Sequence, residues 1–166
     1  MDTWLAVASR REVREYADRD LPEDVVRRIL DAGRLAGSAK NRQAWRFLVV
    51  ESPEVREQLA AAVYEPANVR GAKLVIAILA KASLDTGRAM QNMLLVAWNE
   101  GVGSCPNGIA DLERARETLA LAENDDLAIV LTFGYPARET DASRHSPEEW
   151  SGRANRKLLD ELVEQL

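Results

Sequence analysis

"KLVIAILAKASLDTGRAMQNMLLVAWNEG", Lys73 to Gly101, sets the architecture. Its first eight residues, Lys73 to Ala80, are almost unbroken apolar, the composition of a strand covered on both faces. From Asp85 onward, Met90, Met93, Leu94, Ala97 and Trp98 recur on one side of a helix, and Gly101 suits the position just past its C-terminus. A covered strand leading into a core helix predicts a central sheet with helices against it.

The same alternation extends both ways. Asp20 and Glu23 have capping-box spacing, and with Pro22 in the first turn they predict a helix to about Ala36, its buried face made by Val25, Val26, Ile29, Leu30, Gly33 and Leu35. "RFLVVE" (Arg46 to Glu51) reads as a strand, and "SPEVREQLAAAV" (Ser52 to Val63) as a helix opened by Ser then Pro. Downstream, "DLERARETLAL" (Asp111 to Leu121) reads as a helix capped by Asp111, and "DLAIVLTFGY" (Asp126 to Tyr135) as another covered strand. From Pro136 to Ser151 the composition turns polar and reads as an exposed linker or loop, before "RKLLDELVEQL" closes the chain as a short amphipathic segment. With no repeat or low-complexity tract, residues 1–166 read as a single domain.

Composition narrows the function classes. A chain of 166 residues, 46% apolar, can bury one real core. The 22 basic and 27 acidic residues give a net charge of −5, which lends nucleic-acid binding no support and requires any anion site to be local. One cysteine, Cys105, excludes an internal disulfide framework, and one histidine, His145, argues against a His/Cys metal cage. The N-terminal twenty residues lack the pattern of a signal peptide or membrane span, so a soluble protein of the reducing cytoplasm is expected.

Four stretches carry candidate chemistry. "SRREVREY" sets Arg10, Arg11 and Arg14 close together; guanidiniums bind phosphate bidentately, but the same run fits a solvated face paired with Glu12, Glu15, Asp18 and Asp20. "GSAKNRQAWRF" (Gly37 to Phe47) loads a connection with Ser38, Asn41, Gln43 and Trp45; it is either an ordinary polar loop or one facing another chain or a cofactor. "GVGSCPNGIAD" (Gly101 to Asp111) reads as a Gly/Pro loop whose backbone N–H groups can approach a flat or anionic ligand. Gln91 and Asn92 interrupt the most apolar helix, as ties to a loop or as ligand contacts. Cys105 lacks a base partner and reads as a small buried hydrophobe, and no P-loop or GxGxxG is present. With no catalytic dyad, a cofactor would have to carry any reaction.

In order, these segments resemble the nitroreductase family of flavin enzymes. The matching stretches are "RREVR" (Arg10 to Arg14), "GSAKNRQAW" (Gly37 to Trp45), "LDTGRAMQNMLLVAWNEGVGSCPNGI" (Leu84 to Ile109), "LTFGYPA" (Leu131 to Ala137) and "NRKLLDELV" (Asn155 to Val163). The resemblance implies an α+β three-layer sandwich, its mostly antiparallel sheet flanked by helices, in an intertwined homodimer with FMN at the subunit interface. It implies hydride transfer from NADH or NADPH through flavin N5 to a nitroaromatic, quinone or related electrophile by ping-pong turnover, without a catalytic side chain. Arg10, Arg11, Arg14 and a C-terminal base, Arg156 in preference to Lys157, would hold the phosphate and ribityl chain. Ser38, Asn41 and Gln43 would come from the partner subunit, and Pro106, Asn107 and Gly108 would present backbone to the isoalloxazine edge. Glu12 stands where the motif has Ser, and Gly37 and Ala44 stand where the loop has prolines. A flavin-binding carrier, a dehalogenase or a flavin-consuming enzyme are the alternatives.

Overall fold

Residues 1–165 are described by the computed structural model. Along the chain lie α1 (Thr3–Ser9), α2 (Glu23–Arg34), β1 (Arg46–Val49), α3 (Pro53–Ala60), α4 (Pro66–Gly71), β2 (Leu74–Leu79), α5 (Leu84–Asn99), β3 (Gly103–Asn107), α6 (Leu112–Thr118), β4 (Leu127–Gly134) and α7 (Pro147–Arg153). They form two compact units: Arg11–Thr140, and a terminal unit of Met1–Arg10 with the chain from Asp141 onward.

In the larger unit the strands run in the order β1-β2-β4-β3, and each neighbouring pair is antiparallel. Strand β2 is buried along its whole length, and its period-2 alternation serves both faces at once. Leu74, Ile76 and Ile78 face α2 and α5, packing with Ile29, Met93 and Leu94. Val75, Ala77 and Leu79 face the layer of α3, α4 and α6, packing with Leu59, Val69 and Ala115. An unbroken apolar run thus needs only two covered faces, and an antiparallel sheet between helices provides them.

Local signals fix most helix starts. Ser52, Ser83 and Asp111 accept from the backbone N–H of Val55, Thr86 and Arg114 at 3.3, 3.2 and 3.0 Å. Each such cap contributes about 1 kcal/mol. Asp20 does not act as a cap: α2 starts at Glu23 with Pro22 as its N-cap residue and no side-chain cap bond, and Asp20 lies 3.8 Å from the Lys73 ammonium. Helix α5 stops where Gly101 takes φ = 72°.

Two further expectations are corrected. The supposed Gly/Pro loop contains β3, paired with β4 from Gly103↔Gly134 to Asn107↔Val130. Its position at the sheet edge tolerates Pro106, which has no N–H to donate. The polar stretch after Pro136 is not a bare linker, because Ser146 and Glu149 form a reciprocal capping box that opens α7. In the terminal unit the apolar N-terminal patch forms α1, capped by Asp2 and packed against α7, and Trp150 Nε1 donates to the Ala142 carbonyl at 2.8 Å.

Candidate functional site

The arginine-bearing segment is stitched onto the sheet. Val13 N–H donates to the Ser104 carbonyl at 3.0 Å, Ala17 N–H to Tyr135 O at 2.8 Å, and Ala137 N–H to Glu15 O at 3.0 Å. Glu12 thereby bridges Ser104 in parallel and Tyr16 bridges Pro136. Two register partners, Gly103 and Gly134, make room for this crossing. A Cβ on Gly103 would meet the Val13 side chain at 2.6 Å, and one on Gly134 the Tyr16 ring at 2.8 Å. Among the predicted site residues, Arg11 and Arg14 are thus carried alongside the strand that ends in Pro106 and Asn107, with Gly108 following. The acids of the solvated-face alternative are partly committed elsewhere, since Asp18 and Asp20 both pair with Lys73. A concavity of about 310 Å³ is lined by Glu12, Arg14, Glu15 and Arg138.

Beneath the crossing lies a buried polar network that sequence reasoning missed. The Tyr16 hydroxyl lies 2.9 Å from Thr132 Oγ1, and Thr132 Oγ1 donates to the Cys105 carbonyl at 3.0 Å. Thr132 has a single proton, already given to Cys105, so Tyr16 is the donor in its pair. Asn107 Nδ2 donates to Cys105 O at 2.9 Å and to Thr132 Oγ1 at 3.1 Å, while Asn107 Oδ1 accepts from Asn68 Nδ2 at 2.8 Å. The Asn107 amide is therefore committed to the sheet, and only its backbone remains for a ligand. Burial pushes the Tyr16 phenol far above its ordinary value. Burial also raises the Cys105 thiol, reinforced by the Glu12 carboxylate, which makes it a poor nucleophile. Asn68 and Thr132 carried no sequence signal, because their roles depend on pairings remote in the chain.

The polar loop Gly37 to Phe47 brings Ser38, Asn41 and Gln43 together. Ser38 Oγ accepts from Gln43 N–H at 2.9 Å, and Gln43 Nε2 donates to the Asn41 carbonyl at 3.3 Å. Lys40, Asn41 and Gln43 hold φ of 54°, 53° and 48°, the left-handed region that side chains other than Asn and Gly rarely enter. The loop is pinned to α5 by Asp85, whose Oδ2 accepts from Ala39 N–H at 2.9 Å. Within α5, Asn92 Nδ2 donates to Ala32 O at 3.3 Å and ties α5 to α2, whereas Gln91 is exposed.

In the terminal unit, Arg10 follows α1 and returns its backbone N–H to Ala6 O at 3.1 Å. Arg156 is exposed, with Nη1 donating to Ala154 O at 3.0 Å.

The family model described as "Nitroreductase family" matches residues 7–83 and 78–135. The chain belongs to the nitroreductase family. A Methanothermobacter thermautotrophicus protein carrying the provisional name NADH dehydrogenase/NAD(P)H nitroreductase is 31% identical, covering 90% of this chain and 88% of the relative. A Thermus thermophilus protein named NADH dehydrogenase is 28% identical, covering 90% and 94%. Among solved structures, a Desulfovibrio desulfuricans protein, provisionally named a nitroreductase and in complex with FMN, is 29% identical with a TM-score of 0.81, covering 100% of this chain and 98% of that one. These neighbours share the nitroreductase fold, in which the antiparallel sheet and its two helical layers have their place. Among the described residues, no cluster of His, Cys, Asp and Glu is arranged to hold a metal ion, and no helix is long and apolar enough to cross a membrane.

Proposed function

We propose that this nitroreductase-family chain is an FMN-dependent oxidoreductase that takes electrons from NADH or NADPH and delivers them to a nitroaromatic, quinone or related electrophile in ping-pong turnover. One observation carries the reading: the Arg11–Arg14 segment is hydrogen-bonded through Val13 to the strand that carries Pro106 and Asn107. Two motifs that the family resemblance assigns to one cofactor, distant in sequence, are thus neighbours within the larger unit. The donor set fits an anionic, flat cofactor, with guanidiniums for a phosphate and strand-end backbone at Asn107 and Gly108 for a ring edge. When bound, FMN would supply the two-electron relay that no side chain of this protein can supply.

In this reading Arg11 and Arg14 hold the phosphate and ribityl chain, and Arg10 and Arg156 are assigned to the same group by the family resemblance alone. Arg14 places a cation that favours the reduced cofactor. Pro106, Asn107 and Gly108 give the ring edge backbone contacts. Ser38, Asn41 and Gln43 serve the cofactor of the partner subunit in a homodimer. Support for a partner comes from the exposed, backbone-strained loop and, separately, from exposed Trp4, Val7, Leu158, Leu159 and Leu162 in the terminal unit. The free Cys105 suits a reducing cytoplasm.

Purified protein should be yellow and should bleach anaerobically with NADH or NADPH, with parallel double-reciprocal plots against acceptor. Arg10→Ala with Arg14→Ala should weaken FMN binding at least about tenfold, as expected for lost charge-assisted bonds. Colourless protein that takes up no added FMN refutes the reading.

A further inference from the structure

A concavity of about 570 Å³ opens in the larger unit between the end of the polar loop, the end of β2 and the first turn of α5. Its volume falls within the range of small-molecule sites. Half-buried Trp45, with Leu79 and Ala80, gives it an apolar lining, and Arg42 and Lys81 stand on its wall. The balance of charge depends on which groups are already committed. Asp85 accepts from Ala39 N–H at 2.9 Å and from Arg88 at 3.3 Å. Asp125 is paired with Arg46 and accepts from Ala122 N–H at 3.2 Å. Arg42 and Lys81 have no carboxylate within ion-pair distance among the described residues, and Asp126 is the one lining acid left without a cation. Two uncommitted cations and one uncommitted acid therefore border a site lined by an indole.

We infer that this concavity recognises an aromatic carboxylate, its ring against Trp45 and its charge on Arg42 and Lys81. The apolar lining supplies burial for a ring, and an indole adds a flat aromatic face. A planar guanidinium and a mobile ammonium supply complementary donors for a carboxylate. The inference rests on the proposed function in one respect: Gln43, assigned there to the partner subunit's cofactor, lines the same concavity, so a ligand here would be an acceptor of that reaction. The acceptor class is thereby narrowed to acidic aromatics.

The test is equilibrium binding to the oxidised, FMN-loaded protein of 4-nitrobenzoate and of its neutral analogue 4-nitrobenzamide. At low salt the carboxylate should bind about five times tighter, the scale of two partly exposed ion pairs. That preference should shrink toward unity in about 0.5 M salt and in Arg42→Gln/Lys81→Gln. It should grow in Asp126→Asn and persist in Arg114→Gln, which removes an exposed charge of α6 outside the cavity. Equal binding of the two probes, or a preference that survives the double variant, overturns the inference. FMN-loaded protein without the preference refutes this inference alone; protein that takes up no FMN refutes the proposed function, and the same preference measured on that FMN-free protein leaves recognition of the carboxylate by the concavity standing.

Discussion

Replacing Asn107 by Ala removes the hub of the buried network. The amide accepts from Asn68 at 2.8 Å and donates to Cys105 O at 2.9 Å and to Thr132 Oγ1 at 3.1 Å. After truncation, Thr132 Oγ1 still receives the Tyr16 hydroxyl, and Cys105 O still receives the Thr132 proton. Asn68 Nδ2 is left with only the Cys105 sulfur at 3.5 Å. One buried donor is effectively orphaned, at about 1–3 kcal/mol, and the lost donations add about 1 kcal/mol. A loss of about 3 kcal/mol is expected in urea-unfolding free energy, a large share of a typical domain's stability. Asn68→Ala removes the same bond from the other side, so Asn68→Ala/Asn107→Ala should cost about 1–2 kcal/mol less than the sum of the single losses. Under conditions where the variant is folded, its FMN affinity should stay within about threefold of the parent, because the side chain serves the sheet. A single-variant loss below about 1 kcal/mol, or an additive cycle, would refute the hydrogen-bond accounting. A tenfold affinity loss at unchanged stability would place the amide on the ligand.

Three further outcomes follow from the same geometry. Gly103→Ala should cost about 1–3 kcal/mol by the overpacking of a new Cβ against the Val13 Cβ and Cγ2, both at 2.6 Å, and Val13→Ala, which removes the methyl contacts but keeps the Cβ, should recover part of it in thermal melts; no recovery would mean that the methyl contacts are not the constraint. Lys40→Gly should raise stability by about 0.5–1 kcal/mol, since glycine meets φ = 54° without steric cost; an unchanged urea midpoint would show that the loop relaxes freely. Because the Tyr16 phenol is raised in the folded state, the unfolded chain loses that proton first: stability is fully present below about pH 10 and falls above it by up to about 1.4 kcal/mol per pH unit, and Tyr16→Phe should flatten that alkaline slope.

What the sequence made legible was local. Strand β2 and helix α5 announce themselves by apolar run and period, and the caps at Ser52 and Asp111 by residue type. Strand β3 was hidden because Gly103, Pro106 and Asn107 have loop propensities, and pairing with β4 overrides them only in the assembled sheet. Gly103 read as room for a ligand, whereas it makes room for Val13 of the same chain. Gly134 likewise makes room for Tyr16. The left-handed backbone at Lys40, Asn41 and Gln43 was invisible for a related reason: only Asn among them has a residue-type preference for that region. The arginine cluster had two readings in the sequence, and the structure engages with Lys73 only Asp18 and Asp20 of the four acids offered to it.

The arginine motif is thus an extension of the sheet. Edge strand β3 exposes backbone groups that would otherwise invite strand addition, and residues 12–13 meet some of them through the Glu12–Ser104 bridge. Backbone and side chain consequently have separable roles in this segment. Val13 and Tyr16 face the glycine pair and hold the crossing, while Arg14, between them in sequence, is exposed and carries charge. Changes at Val13 or Gly103 should therefore move stability and cofactor retention together. Changes at Arg14 should move retention with stability held within about 0.5 kcal/mol, as for exposed positions outside a packing contact. A segment bridged to the sheet at Glu12 and Tyr16, with exposed Arg14 between, is how a small acidic protein can present a cation at a fixed place without burying it.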